Sequence, residues 1–85
     1  MQKRFYSLYD EKADVYSNPF TAQNGAVALR SLATAASDPS TEVSKYPHDF
    51  TLYELGVFDD STGTITPHQN PTNLGKASQF SSAEV

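Results

Sequence analysis

Eighty-five residues carry ten aromatic side chains, no cysteine and a formal charge of −4, from six Lys/Arg against ten Asp/Glu. That excludes a disulfide framework and a thiolate metal centre. It also disfavours duplex binding, which draws its affinity from a basic face that neutralises phosphates. The length predicts one domain, near the lower limit for a single hydrophobic core. Five Phe and five Tyr must then supply most of that core, and a homo-oligomer would add buried surface.

No apolar run approaches the ~20 residues that span a bilayer. The apolar stretch after Met1-Gln2-Lys3-Arg4 is broken by Ser7 and Asp10, unlike a signal peptide. A soluble, cytoplasmic protein with no membrane partner is the expectation.

Residues 4–9 favour a strand, with Phe5, Ser7 and Tyr9 on one face and Tyr6 and Leu8 on the other. A polar turn at Asp10-Glu11-Lys12-Ala13 leads into an extended return over 14–20, with Val15 and Phe20 inward. Asn18-Pro19 should interrupt its pairing, because proline offers no donor and restricts its predecessor. From Asn24 the period changes. Apolar residues at 28, 29, 32 and 36 mark one helical face, with Asn24 or Thr21 as cap. Pro39 ends the helix at Asp38, and Asp38-Pro39 opens a second, single-turn helix that stops before Tyr46-Pro47.

Phe50 to Phe58 is the clearest strand, Asp59 to Gly63 its turn, and Thr64-Ile65-Thr66 the return. Gly56 inside the strand signals a bulge or a close backbone approach. The expected fold class is α+β: a small antiparallel sheet of two hairpins with one main helix on a face, in the order ββαββ. Residues 1–67 form the domain. Residues 68–85, polar apart from Leu74 and Phe80, read as an extended or disordered tail.

The stretch His48-Asp49, with Asp59-Asp60 ten residues on, invites a catalytic or metal reading. General acid/base work needs groups that converge on a reacting atom, and zinc needs three or four ligands. Two histidines twenty residues apart and no cysteine do not supply them. Asp49 reads instead as a cap or turn acceptor. No Gly-rich phosphate loop or nucleophile elbow occurs. Thus no catalytic residue, metal ligand or cofactor is assigned, and no enzyme is expected.

Single-strand binders track phosphates with basic residues and stack bases on aromatics. Lys3, Arg4, Tyr6, Tyr9, Arg30, Lys45 and Tyr46 are the candidate nucleic-acid contacts on that pattern. Tyr16 and Tyr53 belong to the same pool of aromatics. The bland reading is that tyrosines in strand patterns pack in the core and that Arg30 is a solvated helix residue.

An ordered series of short motifs runs through the chain. It comprises Tyr6-Ser7-Leu8-Tyr9-Asp10, Pro19-Phe20-Thr21-Ala22, Asn24, Ala28 with Arg30, and Asp38-Pro39. Next come Tyr46-Pro47-His48-Asp49-Phe50, Leu52-Tyr53-Glu54-Leu55-Gly56, Phe58-Asp59 and Thr62-Gly63. From about residue 5 to 66 the series resembles the small nonstructural protein of gokushovirus-type microviruses, single-stranded DNA phages of bacteria including chlamydiae. The resemblance implies a phage protein in the host cytoplasm that is not a capsid component. It also implies an accessory role in genome replication or in the switch to single-strand synthesis and packaging. Partners would be single-stranded DNA or a phage or host replication protein. An adaptor or inhibitor that binds only such a protein is the alternative. Family members often carry Glu at the position of His48, and the resemblance transfers no contact residues.

Overall fold

In the computed structural model, which describes residues 2–80, the chain forms one antiparallel sheet with a helix across one face. Strand β1 (Gln2–Asp10) lies centrally beside β4 (Phe50–Asp59). β5 (Thr64–Lys76) flanks β4. On the outer side of β1 the return strand is split into β2 (Val15–Tyr16) and β3 (Phe20–Ala22). The break falls at Ser17-Asn18-Pro19, as Pro19 predicts. Ser7 Oγ donates to the Ser17 carbonyl at 2.7 Å, and the Leu8 amide donates to Ser17 Oγ at 3.0 Å, so the interruption is pinned to β1. The mixed α+β class and the ββαββ order are therefore present, with the second strand in two pieces.

Helix α1 (Gly25–Ser37) starts where Asn24 Oδ1 accepts the Val27 amide at 3.0 Å. It stops at Asp38, ahead of Pro39. Its buried stripe is Ala28, Leu32 and Ala36, and the small alanines let the helix sit close to Tyr6 and Leu52 of the sheet. Leu8, Phe20 and Leu29 pack around that contact. Phe20 is thus inward as expected, whereas Val15 is 55% exposed. Val15 pairs with Asp10 at the hairpin end, beyond the reach of the helix.

The second helix begins later than expected. Asp38 Oδ1 accepts from Ser40 in a turn, and α2 (Glu42–Lys45) is capped by Thr41 Oγ1, which accepts the Ser44 amide. A 3-10 turn, Pro47–Asp49, then delivers the chain to β4. The Asp49 backbone carbonyl accepts from the Glu11 amide at 2.9 Å, which ties this turn to the β1–β2 loop.

The largest departure concerns the residues read as a tail. β5 continues past Pro67 to Lys76, pairing Thr72 with Glu54 and Gly75 with Leu52. A 3-10 turn, Ala77–Gln79, follows. Ala77 is fully buried, and Leu74 and Phe80 pack on the core. A polar sequence holds a strand here because its backbone donors and acceptors complete the ladder of β4. The edge position tolerates Pro67 and Pro71. Residues 81–85 of the expected tail lie outside the described residues.

Candidate nucleic-acid interface

Alternation along β1 and its register with β4 sort the side chains into two sets. Tyr6 pairs with Phe20 and Glu54, and Leu8 with Leu52, on the helix-covered face. Ser7 pairs with Tyr53, Tyr9 with Thr51 and Tyr16, and Phe5 with Thr21, on the helix-free face. There the rings of Tyr9, Tyr16 and Tyr53 form a triangle, with centroids 4.8, 5.8 and 6.4 Å apart. Phe5 and Phe58 meet edge to face at 5.9 Å on the same surface.

Two lysines flank these rings. Lys3, opposite Phe58, is 43% exposed and lies 4.0 Å from Asp60. Lys76, opposite Thr51, donates from Nζ to the His48 carbonyl at 2.8 Å and to Glu11 at 3.3 Å. Tyr9 Oη donates to the Asp14 carboxylate. That bond raises the Tyr9 phenol to about 12, with burial and the neighbouring charges adding to it. Asp14 itself holds a left-handed φ of 58° at the end of the β1–β2 loop, a conformation uncommon outside glycine but more accessible to Asp and Asn than to most residues.

The other predicted contacts lie apart from this surface. Tyr6 is fully buried, and its hydroxyl has no hydrogen-bond partner among the described residues. Burial first, and the Glu54 charge second, push its phenol up. Packing against Leu52 and the helix has claimed this ring, so it cannot stack on a base. Arg4, of the same parity, turns to Glu54, whose Oε2 accepts Arg4 Nη1 at 2.9 Å and His68 Nε2 at 2.7 Å. Burial alone would raise the Glu54 carboxyl. The His68 and Arg4 hydrogen bonds outweigh it and hold the group below the usual range.

Arg30 is exposed on α1, while Lys45 and Tyr46 sit at the end of α2, with Tyr46 55% exposed. Of the seven predicted residues, the helix-free face brings together Lys3 and Tyr9. Phe5, Tyr16, Tyr53, Phe58 and Lys76 complete it. The parity of Phe5 with Tyr9 was a visible signal; the register that adds β4 was not.

His48-Asp49 and Asp59-Asp60 bound opposite ends of β4, whose ten residues span roughly 30 Å at ~3.3 Å per residue. They cannot converge on one atom. Among the described residues no group of three or more His, Cys, Asp or Glu could hold a metal ion. No helix there is long and apolar enough to cross a membrane.

Comparison with known proteins bears on this arrangement. One relative is Protein ORF5 of Chlamydia phage 1, 31% identical over 71 residues, which are 79% of this chain and 74% of that protein. It is a gokushovirus-type microvirus protein, as the motif series implied. No solved structure matches. The model of the Phage ORF5 protein family matches residues 3–80, past the point where the motif series ends and through all of β5. The chain belongs to the Phage ORF5 protein family.

Proposed function

We propose that this phage protein is a non-enzymatic accessory of single-stranded DNA genome replication, or of the switch to single-strand synthesis and packaging. It acts in the host cytoplasm rather than in the capsid, and it binds single-stranded DNA on the helix-free face of its sheet. One observation supports the reading: Tyr9, Tyr16 and Tyr53 meet on the sheet face opposite the one that packs on α1. Base stacking on aromatic rings contributes about 1–3 kcal/mol per base and tolerates any sequence. Affinity here rests on stacking more than on phosphate neutralisation, because the chain is acidic and, among the described residues, the face offers Lys3 and Lys76 at its margins. With at most two phosphates neutralised, the log–log salt slope should be no steeper than about −1.4.

Fluorescence anisotropy with a labelled 15-mer at ~50 mM salt, where phosphate contacts are favoured, tests this directly. Binding should appear and should fall roughly 5- to 150-fold in Tyr53→Ala, the equivalent of one lost stack. No binding to the wild-type protein under these conditions ends the reading.

A second reading has its own support. Lys3 and Lys76 already face Asp60 and Glu11, which leaves an aromatic surface with compensated charge, the composition of a protein interface core. On that reading the face docks a phage or host replication protein. Loss of such a complex in Tyr53→Ala, without DNA affinity, would establish it.

A further inference from the structure

We propose that the helix-free face carries, beside the tyrosines, a seat for a single thymine base. This rests on the reading that the face binds single-stranded DNA. Phe5, Pro19, Leu55, Gly56, Ile65 and Pro67 line a cavity of about 250 Å³. Pro19 comes from the edge beside β3, Phe5 from β1, Leu55 and Gly56 from β4, and Ile65 and Pro67 from β5, so the trench crosses the whole sheet. Its floor is the close approach of β5 to β4, which only a glycine at position 56 allows. A Cβ there would stand 2.5 Å from the Thr66 carbonyl oxygen and 2.8 Å from Pro67 Cα.

The chemistry of the walls selects the base. None of the six side chains can donate or accept a hydrogen bond, so every polar edge buried there gives up water without replacement. Thymine fits best because its C5-methyl can enter the trench while O4, N3 and O2 stay in water; cytosine has only a hydrogen at C5, and purines carry an N7 acceptor on that edge. The volume lies below the ~300–1,000 Å³ of pockets for drug-sized ligands, which suits one small ring. Position favours a nucleotide over an aliphatic side chain of a protein. Phe5 and Tyr9 share one face of β1, about 14 Å apart at ~3.4 Å per residue, so a strand stacked on the tyrosines runs on into the trench. Lys3, 43% exposed and opposite Phe58, stands at its margin for a phosphate.

Oligomers of thymidine and of deoxyuridine differ only in the C5-methyl, and the part of their affinity ratio that Ile65→Thr removes reads this seat. By anisotropy at low salt, the thymidine 15-mer should bind about fourfold tighter than the deoxyuridine 15-mer, from burial of one methyl group. Ile65 is 62% exposed, so Ile65→Thr should fold, as near-ultraviolet circular dichroism will verify, and should bring the ratio close to one. Equal binding of the two oligomers by the wild-type protein, with both weakened in Tyr53→Ala, removes the thymine seat and leaves the tyrosine platform standing. A thymidine preference that survives in Ile65→Thr also overturns the seat. Failure to bind either oligomer removes platform and seat together, and the trench is then an anchor for an aliphatic side chain of a protein partner.

Discussion

The two faces of the sheet start from the same strand chemistry and reach opposite ends. On the helix-covered face Tyr6 and Leu52 are wholly buried under Ala28, Leu32 and Ala36. On the other, Tyr9, Tyr16 and Tyr53 meet ring to ring, and Tyr16 remains 44% exposed. Two tyrosines three residues apart on β1, Tyr6 and Tyr9, therefore do different work. One is a structural ring whose hydroxyl has been given up to burial. The other keeps its hydroxyl at the surface, engaged by Asp14. The difference teaches that an aromatic side chain in a small sheet protein is assigned its role by parity and by which layer the helix occupies.

The sharpest way to break that contrast is to truncate neighbours on β4. Leu52→Ala should cost about 2–5 kcal/mol by chemical denaturation, the range for emptying a fully buried leucine site. Tyr53→Ala, one residue away, should cost about 1 kcal/mol for its ring contacts while weakening oligonucleotide binding roughly 5- to 150-fold. If the two lose similar stability, the faces are not energetically distinct. Gly56→Ala comes next: its methyl would press on the Thr66 and Pro67 backbone, and overpacking of this kind costs about 1–3 kcal/mol. An unchanged unfolding midpoint would mean that β5 does not lie that close.

Smaller effects come from the charged groups. Glu54→Gln should cost about 1 kcal/mol, discounted because Arg4 is 44% exposed. The Glu54 carboxyl is lowered in the folded state, so its contribution is complete above its unfolded value of about 4.5. It disappears as pH falls through the folded value. The pH dependence of unfolding in the acid range should therefore flatten in the Gln variant.

Tyr9 has the opposite sign. Its phenol is raised from 10.0 to about 12, so its contribution is complete below 10 and is lost as pH rises between the two values. Ultraviolet titration of tyrosinate should show Asp14→Asn bringing one late-titrating phenol back toward 10. An unaltered titration curve would show that Asp14 does not hold Tyr9.

Much of this architecture was legible locally. The parity of Phe5, Ser7 and Tyr9, the Asn24 cap, the stop at Asp38-Pro39, the break at Pro19 and the positive φ of Gly63, 75°, are signals that short stretches carry by themselves. β5 was illegible beyond Thr66 because its pairing comes from β4, not from its own apolar pattern. Pro67, Pro71 and the amides of Gln69, Asn70 and Asn73 resemble a linker until a partner strand is present. The tyrosine surface was half legible for a similar reason. Parity places Phe5 with Tyr9, but bringing in Tyr53 and Phe58 needs the register of β4. That register shifts at Leu55, which lies unpaired opposite β1 between Glu54 and Gly56. Nearness in sequence to Lys3 and Arg4 drew Tyr6 into the candidate set, although its parity with Leu8 already put it on the core side.

The rim of the sheet has a consequence for assembly. Strand addition from a second copy requires an unbroken row of edge donors and acceptors. Pro19 interrupts that row on one side, and Pro67 and Pro71 interrupt it on the other, where residues 68–71 of β5 lie opposite the single residue Leu55. Ribbon-like growth of the sheet is blocked at both margins. A contact between copies would have to form on a face of the molecule and not along a sheet edge.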